Sequence, residues 1–130
     1  MLIIEDNREN RELMSYLLES FGHTVLAARG GSEGLVLAAR EAVDLIICDI
    51  QMPDLDGFSV LAGLRAAPMT AHTPCLAVTA LAMPADRTRA LAAGFDGYIS
   101  KPIEPETFVS EVEAWLGEAR GVAANPAGGG

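Results

Sequence analysis

Positive charge is scarce in this 130-residue sequence: nine lysines and arginines face eighteen aspartates and glutamates, a formal net charge of −9. Duplex DNA and anionic lipid both need clustered cations, so nucleic acid and membrane surfaces are excluded as main partners. Cysteine is nearly absent. Cys48 and Cys75 each sit in an apolar run, and two such residues make no disulfide framework. No apolar run approaches the ~20 residues of a membrane-spanning helix, and no basic leader followed by an apolar stretch opens the sequence. There are only two histidines, His23 and His72, both expected in solvated turns. What is abundant is core material, since half the residues are hydrophobic. Intrinsic disorder is thereby excluded as the main state, and the length suits one domain. The expectation is a soluble, single-domain protein of a reducing compartment, the cytoplasm.

Short apolar runs alternate with helical patterns five times along the chain. Leu2-Ile3-Ile4 reads as a buried strand ending in Glu5-Asp6, and Leu13, Met14, Leu17, Leu18 and Phe21 recur at helical spacing until Gly22. Thr24 to Ala28 is a second strand, Gly30-Gly31 a turn, and Ser32 a candidate cap for a helix carrying Leu35, Leu37 and Ala38. Leu45 to Cys48 is an apolar third strand with Asp49 at its end, and Pro53 and Gly57 precede a short helix. Cys75 to Thr79 is a fourth strand, followed by a helix from Pro84 to Ala93 that Gly94 ends. Tyr98-Ile99-Ser100 is a fifth strand before Lys101-Pro102, and Phe108, Val112, Trp115 and Leu116 mark a last helix entered at Pro105. The folded domain is expected over residues 1–118, with 119–130 a flexible tail whose small residues offer nothing to pack.

Strands apolar on both faces and alternating with helices imply an α/β fold, a doubly wound parallel sheet covered on two sides. Such sheets bind ligands beyond the carboxyl ends of their strands. The polar residues obey that rule: Glu5 and Asp6 end the first strand, Asp49 the third and Thr79 the fourth, while Lys101 follows the fifth. Three carboxylates at one edge repel one another unless a cation is present. Oxygen ligands without an accompanying His or Cys select a hard ion, so Mg²⁺ is the expected cofactor. Metal, lysine and hydroxyl around one aspartate are what phosphoryl transfer to a carboxylate requires.

Glu5-Asp6-Asn7, Asp49-Ile50-Gln51-Met52-Pro53 with Asp56-Gly57, Thr79-Ala80 and Lys101-Pro102 occur in that order. Together they resemble the receiver domain of two-component response regulators, over roughly residues 2–117. The flavour is that of single-domain receivers and of receivers attached to hybrid histidine kinases. The resemblance implies a five-stranded flavodoxin-like (βα)5 fold of strand order 2-1-3-4-5. It implies Asp49 as phosphoacceptor, receiving a phosphoryl group from a histidine kinase or histidine phosphotransfer protein. Asp6, Asp49 and the backbone carbonyl of Gln51 would ligate Mg²⁺, with Glu5 acting through water. Lys101 would contact the phosphoryl group, Thr79 would move to hydrogen-bond it, and Tyr98 would turn inward in response. A cis Lys101–Pro102 bond would aim the lysine. Gln51 and Leu81 fall at positions that influence dephosphorylation. The chain would then be no enzyme in the usual sense, but a phosphoacceptor that takes part in its own Mg²⁺-dependent phosphorylation and dephosphorylation. It would signal through the face formed by the fourth helix, fifth strand and fifth helix, as a monomer or weak homodimer. The first strand begins almost at Met1, shorter than is usual in the family.

Plainer readings stand beside these. Glu5-Asp6 alone could be an acidic loop, Asp49 a helix N-cap, Tyr98 ordinary core, and Cys48 and Cys75 small core residues. Asp54-Leu55-Asp56-Gly57 resembles part of a calcium or phosphatase loop but ends no apolar strand, so it reads as a turn. Arg87, Arg89 and Glu33 read as solvated helix faces. Rival functions are a phosphorylation-independent interaction or dimerisation module, the receiver fragment of a larger hybrid kinase, and an aspartyl-phosphate enzyme. A flavodoxin-like cofactor carrier lacks its Ser/Thr-Gly-rich loop after the first strand. Nothing after Trp115 is expected to form a DNA-binding or catalytic output domain, so output is expected through a protein contact or elsewhere in a longer chain.

Overall fold

In the computed structural model, which describes residues 1–80 and 83–124, five strands and five helices alternate. They are β1 (Leu2–Ile4), α1 (Arg8–Ser20), β2 (Leu26–Ala28), α2 (Gly31–Arg40) and β3 (Ile46–Asp49). There follow α3 (Gly57–Ala66), β4 (Cys75–Thr79), α4 (Pro84–Ala93), β5 (Gly97–Ser100) and α5 (Pro105–Ala124). All strand pairs are parallel, in the order β2-β1-β3-β4-β5. The expected architecture and strand order are therefore present. Leu81 lies outside the described residues, as do residues 125–130 of the expected tail. The α5 backbone stays helical to Ala124, past Gly121.

Each strand is apolar on both faces because each face is covered. Leu2, Ile4, Ile46, Cys48, Cys75 and Ala77 pack with residues of α2, α3 and α4, while Ile3, Ile47, Leu76, Val78 and Ile99 pack with α1 and α5. The two cysteines are buried, free thiols of the first of these cores, and burial raises both thiol pKa values, that of Cys75 to about 12. No helix among the described residues is long and apolar enough to cross a membrane.

One helix boundary and one histidine differ from expectation. The N-cap of α2 is Gly30, not Ser32, and Gly30 has no side chain to satisfy the first amides. The carboxylate of Asp54 does so from another loop, accepting from Gly31 N–H at 3.2 Å and Ser32 N–H at 3.0 Å. At the end of α1, His23 is not solvated: its side chain is 17% exposed and its Nε2 lies 2.7 Å from Glu113 Oε2 of α5. His72 is exposed as expected.

Gly57, the first residue of α3, is held by close approach. A side chain there would begin 2.7 Å from both the Asp49 carbonyl oxygen and the Ile50 Cα. Both neighbours are backbone and cannot swing away. Gly57→Ala should therefore destabilise the fold by about 2 kcal/mol, in the range of core overpacking, read as a lower urea midpoint with unchanged slope.

Candidate functional site

The parallel sheet delivers its carboxyl ends to one edge, and four loops converge there. The β1–α1 loop carries Glu5 and Asp6. Glu5 N–H donates to Ala28 O at 3.1 Å, so the backbone of the acidic pair continues the sheet register. Asn7 closes the loop as N-cap of α1, its side chain accepting from Asn10 N–H at 2.9 Å. Arg11, one turn into α1, donates from its guanidinium to the carbonyls of Glu5 at 3.0 Å and Asp6 at 3.4 Å. Asp49 ends β3 and is 3% exposed, and its Oδ1 accepts from Gln51 N–H at 3.0 Å. Thr79 ends β4, wholly buried, and its carbonyl accepts from Lys101 N–H at 2.8 Å.

One carboxylate oxygen from each of Glu5, Asp6 and Asp49 can be chosen such that the three lie within 4.8 Å of one another. Lys101 reaches into this cluster. Its Nζ lies 2.9 Å from Glu5 Oε1 and donates to Asp49 Oδ2 at 3.1 Å. The Lys101–Pro102 bond is cis. Beside Asp49, Gln51, Pro53, Phe58 and Arg89 line a shallow cleft. Arg89 is more than a solvated charge, since its guanidinium stands 4.5 Å above the ring of Phe58.

Glu5 is fully buried. Its Oε2 accepts from Asn7 N–H at 3.0 Å, while its buried Oε1 has no hydrogen-bond partner of good geometry and lies 2.9 Å from the Lys101 ammonium. Burial drives its carboxyl pKa up from 4.5 to about 7; pairing with Lys101 opposes that rise and the neighbouring Asp49 carboxylate adds to it. Burial alone would lower the Lys101 pKa, but the two carboxylates outweigh it and raise it. Three oxygens without nitrogen or sulfur donors, one of them buried and under-partnered, form a donor set suited to a hard divalent cation.

Tyr98 of β5 pairs in register with Ala77. Alternation along β4 puts Thr79 on the same sheet face as Ala77, so Thr79 and Tyr98 share the face covered by α4. Tyr98 is half-buried there and packs against that core. Arg11 and Asp54 were not singled out as functional from the sequence. A cation five residues after an acidic pair is a weak cue, and its target is backbone.

A pH dependence follows for the metal-free protein. The folded pKa of Glu5 exceeds the unfolded value, so its contribution to stability is full below pH 4.5 and is lost as pH rises through about 7. Thermal melting should show this slope in the wild type. In Glu5→Gln the slope should be reduced, and a divalent cation should flatten it in the wild type by favouring the charged carboxylate.

Comparison with known proteins places the chain. Residues 1–113 match the family model of the response regulator receiver domain. The polar-differentiation response regulator DivK of Brucella anthropi is 39% identical over 119 residues, covering 92% of this chain and 97% of that protein. The Vibrio cholerae chemotaxis protein CheY4 superposes with a TM-score of 0.82 at 30% identity, covering 87% of this chain and 94% of that one. The receiver domain of a sensor histidine kinase from Pseudomonas aeruginosa, solved with a magnesium ion coordinated in its active site cleft, superposes with a TM-score of 0.81. It is 32% identical and covers 89% of this chain and 95% of that one. The chain belongs to the response regulator receiver domain family, the phosphoacceptor switches of two-component signalling.

Proposed function

We propose that Asp49 is the phosphoacceptor and that Lys101, Thr79 and Tyr98 convert its phosphorylation into a change of surface. The observation that carries this reading is the Lys101 ammonium paired at once to Asp49 and Glu5 beside Asp6. A carboxylate oxygen of Asp49 attacks the phosphorus of a phosphohistidine on a histidine kinase or phosphotransfer protein. The O–P bond forms as the P–N bond breaks, and the imidazole leaves with the electron pair. Asp6, Asp49 and the Gln51 carbonyl hold Mg²⁺, with Glu5 acting through water; the three clustered carboxylates and the magnesium in the Pseudomonas relative support this. When bound, the ion supplies neutralisation of the phosphoryl charge. Lys101 keeps its ammonium on Asp49 before transfer and offers it to a phosphoryl oxygen afterwards. Hydrolysis of the same acyl phosphate, aided by the same residues, resets the switch, with Gln51 at a position that influences its rate.

The working unit is residues 1–118, in the cytoplasm, as a monomer or weak homodimer. Its partners are the phosphodonor and a downstream protein that reads the α4-β5-α5 face, with no nucleic acid or membrane involved. The charge of −9 supports the last point.

Asp49→Asn preserves the shape of the acceptor and removes the nucleophile. The folded variant should gain no hydroxylamine-sensitive phosphoryl group from acetyl phosphate and Mg²⁺ by intact mass, whereas the wild type gains one. A phosphorylated Asp49→Asn protein at the wild-type rate would put the acceptor elsewhere.

Thr79 and Tyr98 lie on one sheet face, so closure of Thr79 onto the phosphoryl group reaches α4 first. With a beryllofluoride mimic, amide shifts should spread from Thr79, Ala80 and Lys101 through Tyr98 to the outer side of α4. Shifts confined to the pocket would leave Tyr98 as static core.

A further inference from the structure

We propose that Asp54 is a positioning residue for the metal pocket, fixing the β3–α3 loop against the amino end of α2 so that the Gln51 carbonyl stays in place. The proposal rests on the reading of Gln51 as a ligand given above. The loop is tethered near its two ends, by Gln51 N–H on Asp49 Oδ1 at 3.0 Å and by Gly57 N–H on Ile50 O at 2.8 Å. Between Met52 and Leu55, among the described residues, its hydrogen bonds to another element are those of Asp54 to Gly31 and Ser32. These are charge-assisted bonds to amides that α2 cannot satisfy itself, at the end of the helix where its dipole favours an anion. The Asp54 carboxyl pKa is lowered accordingly, by the Ser32 and Gly31 amides.

Packing gives the second, independent observation. A side chain on Gly31 would begin 2.8 Å from the Leu55 carbonyl oxygen, and one on Gly30 would begin 2.9 Å from Asp54 Oδ1. The two glycines thus leave room for the loop to seat on α2. Gly30 has extended backbone, φ −172°, which any residue adopts. Adding a methyl there acts on the Asp54 carboxylate and not on the Gly30 backbone. Asp56, two residues on, caps its own helix through Ser59 N–H at 2.9 Å and, among the described residues, ties the loop to no second element.

The test is Mg²⁺ titration by calorimetry of the full chain in four variants. Asp54→Ala and Gly30→Ala, made separately, should each weaken Mg²⁺ about tenfold, the lower end of the range for loss of an outer support of a metal ligand. In both, the amide resonances of Gly31 and Ser32 should shift in metal-free protein. Phosphorylation by acetyl phosphate should need more Mg²⁺ yet reach the wild-type rate at saturation, a split that general destabilisation does not produce. Asp96→Ala removes a comparable carboxylate tie, to Cys75 N–H at 2.8 Å and Arg65 at 3.1 Å, at the opposite end of β4. It should leave Mg²⁺ affinity unchanged. Asp6→Asn removes a ligand and should lose more than either strut variant. Wild-type affinity in both Asp54→Ala and Gly30→Ala, with Asp6→Asn impaired, overturns the strut alone. Equal weakening in Asp96→Ala overturns it as well. A wild-type protein that binds no Mg²⁺ overturns the metal reading and the strut with it.

Discussion

The Lys101 ammonium, held between Glu5 and Asp49, is the interaction around which the site is built. Glu5 is fully buried and Asp49 nearly so, and two desolvated carboxylates cannot both stay ionised without a nearby cation. In a chain of net charge −9, one lysine is delivered to that spot by the end of β5. The pairing outweighs burial in holding the lysine protonated, yet leaves Glu5 with a raised pKa. The pocket is therefore under-neutralised by protein alone, and its electrostatics favour a further positive charge entering it.

Backbone contacts hold this arrangement more than side-chain packing does. Arg11 grips the carbonyls of Glu5 and Asp6, the Lys101 amide is fixed on Thr79, and Gln51 N–H steadies Asp49. The first two fix backbone and leave the side chains of the acidic pair and of Lys101 untouched, while the third holds the Asp49 carboxylate itself. That division suits the proposed roles of Lys101 and Thr79, in which each exchanges one oxygen for another.

Much of this was legible from residue order. Apolar runs located all five strands, and β4 and α4 have the expected bounds because Pro74, Pro84 and Gly94 punctuate them. The carboxyl-end rule for parallel sheets then gathered Glu5, Asp6, Asp49, Thr79 and Lys101 before any geometry was known. What stayed hidden were ties whose targets are backbone or distant in sequence. The cap of α2 comes from Asp54, more than twenty residues away, and looked like a local task for Ser32. His23 looked solvated because its partner, Glu113, lies ninety residues on in α5. Amphipathic periodicity reports which residues face a core; it carries no information about which polar groups meet across two loops.

The helices around the pocket are unequally anchored, and this bears on where a phosphoryl signal travels. The α3 helix buries Gly57, Val60, Leu61 and Leu64, whereas α4 buries Ala90 alone among its residues. Burying a leucine or valine stabilises by roughly 1.5–3 kcal/mol and an alanine by far less. Displacing α4 thus costs less apolar contact than displacing α3. Tyr98 stands under it, opposite the small Ala77, so the sheet offers the ring little resistance on that side. The Arg89 guanidinium over Phe58 is an exposed tie between α4 and α3, worth about 0.5–1 kcal/mol at such a site. A change of hydrogen bonding at Thr79 is comparable to that tie and well below what moving α3 would demand. On the proposed reading of Asp49 as phosphoacceptor, weak anchoring of α4, rather than any special path through the core, makes it the element that the signal would shift.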